Sequence, residues 1–559
     1  MAPQAHPVLV VGAGPTGLIA ALTLRHNGIP VRILEKADKP FTGSRALGTH
    51  PRTFEVYKFL GVLPDILRLG TPVPDNRIYK CPPEGTELAK ELKNLGRGYP
   101  TPGMPFYNMW VLGQDVTQRV LRTHLEKHGV RVEFGTELRA FAQHADRVEA
   151  HIVKPGEGPN GAEETFTASY LVGADGARGV VRKALGLQFA GVTREDATAV
   201  LGDVRVRGVS RDHWNRWMKG NVPALSLLPR YTHDPDVFGI IAFGLDATRD
   251  YARFVEDTDA FKQYVREVTG RPEIEITEFL GLSYVKFNIR MVSEFGKGRV
   301  FIAGDAAHVH SPTGGQGMNS SIMDAFNLAW KLTLAHKNLA APGLLASYTA
   351  ERLPVIKNML TMTTEVLDKA LANKEGAWER GARFFQLDVH YRGSAITLED
   401  DPEREGAPDP PVNVYTFGTM GRVRAGDRAP DAPHLLDLRK GSVGTLFDVL
   451  TPAKHTVLVF TQGNSAADNV LGALRAYPAA HVQSVVIMPA FASVREDAEL
   501  PGAGWVLKDA DRHAYEGYSV DHATTGHEAV VVVVRPDGFV GAIGRGAGSV
   551  QAYFAKILC

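Results

Sequence analysis

Cysteine is nearly absent from this chain of 559 residues, with Cys81 and Cys559 its only two. That excludes a disulfide framework and any cysteine-based zinc or iron–sulfur site, and it suggests a reducing, cytoplasmic setting. Net charge is missing as well. Lys plus Arg number 62 and Asp plus Glu number 62, so no global field draws the chain to nucleic acid or to anionic lipid. No run of about 18 apolar residues occurs, so no membrane span is expected. The first residues carry no basic cluster, and glycines interrupt the apolar stretch that follows, so it reads as fold and not as signal peptide. The last four residues, Lys-Ile-Leu-Cys, form neither a prenylation box nor a peroxisomal tripeptide.

What is present is ordinary for a globular protein: 44% hydrophobic and 22% charged residues. Gly (57) and Pro (34) are somewhat over-used, which points to many turns and close backbone approaches. The length suggests three or four domains. Residues 8–11 read as a buried strand, followed by a glycine turn, a helix ending at Gly28, and a second strand at 31–34. A helix is expected over 111–128, strands over 130–134, 148–153 and 170–174, and a short helix to 185. Between 190 and 290 the pattern turns to partly alternating strands (201–206, 224–228, 237–243, 274–279) with a helix at 257–269, read as an inserted antiparallel sheet. Trp214 and Trp217 read as a helix feature. Residues 300–303 return to the buried type, a long helix is expected over 320–336, and helices continue over 343–370. A Pro-, Gly- and charge-rich linker follows. Beyond it lies a compact α/β pattern: strands at 457–460, 482–488, 530–534 and 539–543, and helices at 465–476 and 549–557.

Three motifs carry chemistry. The first is Gly12-Ala-Gly14-Pro15-Thr16-Gly17 between a strand and a helix, with Glu35 and Lys36 closing the next strand. Gly12 allows the tight turn, Gly14 lets backbone approach a pyrophosphate, and Gly17 lets the helix pack on the strand. An acid at Glu35 accepts from ribose hydroxyls and disfavours a 2′-phosphate, so FAD or NAD is expected over NADP in this site. The second is Tyr170-Leu-Val-Gly-Ala-Asp175-Gly176-Ala-Arg178, with Arg182 a turn later. The third runs from Gly298 through Gly304-Asp305-Ala-Ala-His308-Val-His310-Ser-Pro312-Thr-Gly314-Gly315-Gln-Gly317-Met318-Asn319. Here a strand delivers Asp305 to a ribityl hydroxyl, and a glycine loop leads into a helix N-terminus, which stabilises negative charge. His308 and His310 are read as structural, so no metal is expected.

In order and spacing these motifs resemble the single-component FAD-dependent aromatic hydroxylases, the class A flavoprotein monooxygenases, over residues 1 to about 370. Gln114 and Arg119 are similar to the family's Gln and Arg, the Gln being a flavin contact, and Arg45 sits where the family has a flavin-side arginine. The region from Gly426-Asp-Arg-Ala-Pro430 resembles the thioredoxin-like tail of the phenol hydroxylase subgroup. The resemblance implies an α/β and α+β architecture. Its parts are a discontinuous Rossmann-like FAD domain (1–188 and 291–400), an inserted substrate domain (189–290), a linker (401–425) and a thioredoxin-like domain (426–559). That last domain lacks Cys-x-x-Cys and reads as a packing or dimerisation module, so a homodimer is expected.

The resemblance further implies that NADPH, or NADH, reduces FAD and that a flavin hydroperoxide delivers oxygen from dioxygen to a phenolic or other electron-rich aromatic substrate. Gly12, Gly14, Pro15, Thr16, Gly17, Glu35, Lys36, Arg45, Gln114, Asp175, Gly304, Asp305, Pro312, Gly315, Gly317, Met318 and Asn319 are the cofactor contacts. Pro312, His50 and Arg230 are the catalytic candidates, His50 or Arg230 supplying the polar contact to a phenolate. Where phenol hydroxylases carry an Asp two residues after the flavin-side arginine, this chain has Leu47, which favours a larger or less polar substrate. Leu47, Leu225 and Leu227, or their strand neighbours, are expected to wall the pocket. A decarboxylating hydroxylase or other FAD oxidoreductase, and a non-catalytic flavoprotein sequestering an aromatic ligand, are the alternatives.

Overall fold

The computed structural model describes residues 6–44, 46–93, 98–154, 162–230, 234–244, 248–375, 382–400, 414–415, 422–491, 500–521, 525 and 528–559. Three large sheets, with two small three-stranded ones beside them, organise these residues. The first has six strands in the order Gly296–Lys297, Val300–Ile302, Tyr170–Gly173, Val8–Val11, Val31–Glu35 and Val132–Phe134. All its pairings are parallel except the first. The apolar run 8–11 lies at its centre and is buried, as a strand covered on both faces must be. Helices α1 (Pro15–His26), α2 (Gln114–Lys127) and α3 (Gly317–His336) flank it, and α4 (Ala346–Leu371) follows. Val111, expected to begin α2, instead forms a short strand with Trp110; α2 begins only after Gly113, whose extended backbone caps it.

The second sheet has eight strands. Their order is His308–Val309, Glu275–Met291, Ala190–Arg207, Val237–Phe243, Val222–Pro229, His213–Lys219, Asp75–Lys80 and Leu88–Leu92. Two features differ from the sequence reading. Trp214 and Trp217 lie on a strand and not a helix; their residues point to opposite faces, which a strand achieves at odd spacing. The sheet is mixed and not purely antiparallel, because residues 75–92 join it and 75–80 pairs in parallel with 213–219. One face packs on the helix Thr258–Thr269 through Val200, Trp217, Leu225, Leu227 and Ile240. The other face turns toward Leu47, α2 and α4, with Ile241, Leu228 and Trp214 near Leu47 and with Ala199, Phe243 and Phe287 near Leu367.

The third sheet also has eight strands, in the order Leu398–Asp400, Val540–Arg545, Val530–Val534, His455–Phe460, Val482–Pro489, Trp505–Asp509, Leu435–Asp437 and Val443–Gly444. Strands 455–460, 482–489 and 505–509 are mutually parallel, and 530–534 runs against them. Its edge strand 398–400 precedes the segment expected as a linker, 401–425, most of which lies outside the described residues.

Candidate active site

The first motif folds as its residue types require. Gly12 has φ +101°, and a Cβ there would lie 2.3 Å from the Ala174 carbonyl oxygen. At Gly17 a Cβ would lie 1.9 Å from the Gly12 carbonyl oxygen, so α1 packs on the turn only because no side chain is present. Gly14 is the opposite case. It caps α1, Pro15 follows at the first helical position, and nothing lies within 4 Å of where its Cβ would be. An open, side-chain-free helix N-terminus is a cradle for a diphosphate. Glu35 lines that cradle: Oε2 accepts from the Ala13 N–H at 2.9 Å and Oε1 from the Ala37 N–H at 3.0 Å. Lys36 is exposed, and Arg45 lies outside the described residues. Gln114 starts α2 and donates its N–H to Ser44 Oγ at 3.1 Å. These residues fit a dinucleotide cofactor.

The second and third motifs close on the first. Asp175 Oδ2 accepts from the Val181 N–H at 3.0 Å, capping a short helix, and burial pushes its carboxyl upward. Gly304 has φ +63° and sits between Thr16 of α1 and Ser321 of α3. Its N–H donates to Asp324 Oδ2 at 3.1 Å. Asp324 is wholly buried and also takes His308 Nε2 at 2.6 Å and Arg352 Nε at 2.8 Å. Burial opposes its charge, but Arg352 and His308 outweigh that and hold it below the usual carboxylate range. The network fixes the turn that presents Asp305, which is exposed. Pro312 is exposed beyond it, Gly315 has φ +64°, and Met318 and Asn319 are buried at the start of α3. Asn319 ties the preceding chain to α3, accepting from His50 N–H at 2.9 Å and Thr53 Oγ at 2.7 Å. A Cβ on Gly317 would lie 3.1 Å from His310 Nε2. Burial, with His308 nearby, lowers the His310 imidazole to about 4 and keeps it neutral.

His50 and Arg230 belong to different clusters. His50 is fully buried, with Nδ1 2.5 Å from the Phe384 carbonyl oxygen and 3.3 Å from Gln316 Nε2. Arg230 is 3% exposed at the end of strand 222–229, on the sheet face toward Leu47. Its Nη2 donates to Asp115 Oδ1 at 2.8 Å, and Nη1 lies 3.3 Å from Asp203 Oδ1. The wall expected from the sequence is Leu47 with Leu225 and Leu227 or their strand neighbours, and it is a neighbour that meets Leu47. Leu225 and Leu227 point into the core against helix 258–269, while their neighbour Leu228, with Ile241, meets Leu47. Alternation along the strand decides this.

Sequence reasoning missed Asp203, Asp115, Asp324 and Arg352. None of the four carried a local signal: Asp203 shares its strand with Arg205 and Arg207, so an acid there reads as an ordinary polar position of the alternation. One surface group among the described residues, His434, Asp511 and His513, brings three possible metal-ligand atoms within 4.8 Å. A 2.6 Å hydrogen bond between His434 and Asp511 accounts for two of them being close.

The model of the FAD binding domain family matches residues 5–363. A flavin-dependent monooxygenase of Mycobacteroides abscessus is 34% identical, covering 99% of this chain and 100% of its own length. A 6-methylpretetramide 4-monooxygenase of Streptomyces rimosus is 31% identical over 98% of this chain and 93% of its own. Among solved structures, a ternary complex of aklavinone-11 hydroxylase with FAD and aklavinone superposes with a TM-score of 0.77 at 25% identity, covering 100% of this chain and 99% of that one. Likeness along the full length, added to a cradle shaped for a dinucleotide, makes this chain a member of the FAD-dependent aromatic monooxygenases.

Proposed function

We propose that this enzyme hydroxylates a large phenolic aromatic, with NADPH or NADH as reductant and dioxygen as the oxygen source. The observation that carries the substrate reading is the sheet face itself. It is apolar over Leu47, Leu228, Ile241, Trp214 and Met109 and carries one buried polar cluster, at Arg230. An apolar wall with few polar groups suits a broad ring system. The names of the 6-methylpretetramide monooxygenase and the aklavinone hydroxylase favour a substrate of that size.

FAD, when bound, supplies the redox chemistry, taking electrons from the nicotinamide and passing one oxygen atom of dioxygen to the ring. The chain supplies the rest. Gly14 and α1 hold the pyrophosphate, Glu35 the ribose, and Asp305 the ribityl chain; Lys36, Arg45, Gln114, Asp175, Pro312, Gly315, Met318 and Asn319 complete the cofactor site. The N-terminus of α3 favours negative charge beside it, by about 0.3–1 kcal/mol. The sheet face excludes water and orients the ring.

The domain division 1–188, 189–290, 291–400, 401–425 and 426–559 stays as our reading, with residues 75–92 assigned to the substrate sheet and 398–400 to the C-terminal one. The C-terminal strand order, with 530–534 reversed between 540–545 and 455–460, favours a thioredoxin-like unit. We read it as redox-inert and as the base of a homodimer. No described helix is long and apolar enough to cross a membrane, and the cytoplasm is the compartment we assign.

The test is a panel of one- to four-ring phenols. The expected result is FAD-bound protein whose NAD(P)H oxidation is stimulated by the larger members, with a product carrying one oxygen atom from dioxygen. Product lacking a carboxyl group would favour the decarboxylating alternative. Ligand binding without any NAD(P)H oxidation would overturn the enzymatic reading in favour of a sequestering flavoprotein.

A further inference from the structure

Buried polar groups in folded proteins are hydrogen-bonded, and each exception needs a reason. One pair of exceptions stands at the end of the apolar sheet face. Asp203 is 5% exposed and Arg230 3%. Asp203 Oδ1 has no hydrogen-bond partner among the described residues, and neither do Arg230 Nε and Nη1. The two side chains are ion-paired at 3.3 Å, but the geometry leaves that acceptor and those donors unsatisfied. Their position is equally specific. Asp203 pairs with Gly239 across the sheet, and a Cβ on Gly239 would lie 3.6 Å from Leu47 Cδ1 and 3.9 Å from Asp203 Oδ1. Leu47 and the Asp203 carboxylate thus both approach Gly239, the second from a strand 156 positions later in the chain.

We propose that Asp203 is the proton acceptor for the substrate hydroxyl and that Arg230 donates to a substrate oxygen beside it, so that the site selects neutral hydroxylated aromatics and rejects carboxylated ones. The inference rests on the reading of this face as the aromatic pocket. When the ring takes up oxygen, the substrate O–H bond breaks and its proton passes to Asp203 Oδ1. The electron pair stays on the substrate oxygen as a ring carbonyl, next to Arg230. When the oxygenated carbon then releases its hydrogen as a proton to the second oxygen atom of dioxygen, which leaves as water with NAD(P)H as the two-electron reductant, aromaticity returns and the proton held on Asp203 goes back to the ring carbonyl oxygen.

Charge decides the substrate class. Among the described residues, the charged groups facing Asp203 are Arg230, from the end of strand 222–229, and Asp115, from α2. The Ser44 amide faces it from the loop, and the neighbouring strands present Gly239 and Gly281. Two carboxylates share one guanidinium, so the cluster is net negative when both are ionised, and a benzoate-like substrate would add a third anion. Burial pushes the Asp203 carboxyl up to about 6; Arg230 opposes this and Asp115 adds to it. A base in that range is ionised at neutral pH yet still takes a proton readily.

The test uses the FAD-bound enzyme and three probes at equilibrium: 1,8-dihydroxyanthraquinone, anthraquinone, and anthraquinone-2-carboxylate. Binding is followed by the visible difference spectrum. The dihydroxy probe should bind at least about tenfold more tightly than anthraquinone, and the carboxylate more weakly than either. Its affinity should fall on acidification near or below the Asp203 midpoint. In Asp203→Asn the tenfold preference and the acid limb should both disappear, and Asp203→Glu should restore part of each. A dihydroxy probe bound by Asp203→Asn with unchanged affinity and pH profile overturns the inference. Equal wild-type affinity for the dihydroxy probe and anthraquinone also overturns it, while leaving the aromatic pocket standing. If none of the three binds, the pocket reading falls and the inference with it. If Asp203→Asn does not fold, the wild-type ranking of the probes decides alone.

Discussion

Two buried ion clusters in this protein differ in one respect, and the difference separates structure from chemistry. The first joins α3, α4 and the 530–545 hairpin. Arg535 donates to Glu351 at 2.7 and 2.9 Å and to Asp537 at 3.0 and 2.5 Å. Lys331 and Asn327 donate to Glu351 at 2.8 Å each, and Ser394 closes the remaining lone pair at 2.8 Å. Two cations meet two anions, and the Arg535 guanidinium lies over Trp330, Tyr391 and Phe539. The second cluster, Arg230 with Asp203 and Asp115, has two carboxylates to one cation and leaves donors and an acceptor unsatisfied among the described residues. A closed network rigidifies a junction, whereas an open one is costly to keep buried, and it is there that we propose the substrate hydroxyl binds.

The largest effect should follow from opening the closed cluster. Arg535→Ala leaves Glu351 and Asp537 buried with too little compensation, which costs about 3–5 kcal/mol. The hairpin plugs into α3 and α4, so the loss should appear in both halves of the molecule. Far-UV circular dichroism and FAD release on heating should move down together. A shift no larger than that of a surface ion pair, about 1 kcal/mol or less, would mean the cluster is not what joins the C-terminal domain to the flavin domain.

The open cluster should respond in the opposite sense. Burial raises the Asp203 carboxyl in the folded chain from an ordinary 3.8 to about 6. Between those values the folded state holds a proton that the unfolded state has lost, so wild-type stability declines as pH rises through this window. Above pH 6 the cost is complete, about 3 kcal/mol for about two units. Asp203→Asn removes it. At pH 8 the variant should be as stable as wild type or more so, and this advantage should vanish as pH falls toward 4. Denaturant titrations at pH 4, 6 and 8 measure it. A variant that loses several kcal/mol at pH 8, as Arg535→Ala should, would place Asp203 among structural ions.

Much of the first comparison's setting was legible in the sequence and little of the second. Gly12, Gly14 and Gly17 act locally, each through its own missing side chain, so their spacing is enough to read. Asp305 and the glycine loop into α3 are similarly contiguous. Arg535-Pro-Asp-Gly538 was readable as a turn, but its partners Glu351 and Lys331 stand about two hundred residues away, and only the fold brings them together. Asp203 faces residues on five separate segments, and nothing near it in sequence marks it. The same limit explains the strand wall: Leu225 and Leu228 look alike in sequence, and a shift of one position in the pleat decides which faces Leu47. Residues 75–92 joined the second sheet without warning because a parallel pairing has no local turn to announce it.

Glu35 falls between the two clusters. Its carboxylate takes two backbone N–H groups yet remains partly exposed on the open side of the cradle, so it holds the loop and has capacity left for a ribose. Glu35→Ala should weaken FAD binding by about 1.5–3 kcal/mol, the range for a charged hydrogen bond, or roughly tenfold to a hundredfold. Titrating FAD into apoprotein by fluorescence reads this directly. An unchanged dissociation constant would show that the second strand's acid serves only the loop.

The smallest effect is expected at the far side of the closed cluster. If the C-terminal domain contributes packing alone, no redox group there should matter. Its sole cysteine, Cys559, is exposed, with its sulfur 3.6 Å from the Asn338 carbonyl oxygen. The terminal chain is held instead by backbone, the Cys559 N–H donating to the Leu339 carbonyl at 3.1 Å. Serine keeps that backbone bond and can replace the weak thiol contact. Cys559→Ser should therefore leave FAD affinity and substrate-stimulated NAD(P)H oxidation unchanged, with stability within about 0.5 kcal/mol of wild type. Activity measured before and after peroxide treatment of both proteins sharpens the point: each should respond alike. Loss of hydroxylation in Cys559→Ser, or resistance to peroxide gained only by the variant, would give the C-terminal domain a redox role that the closed cluster merely anchors.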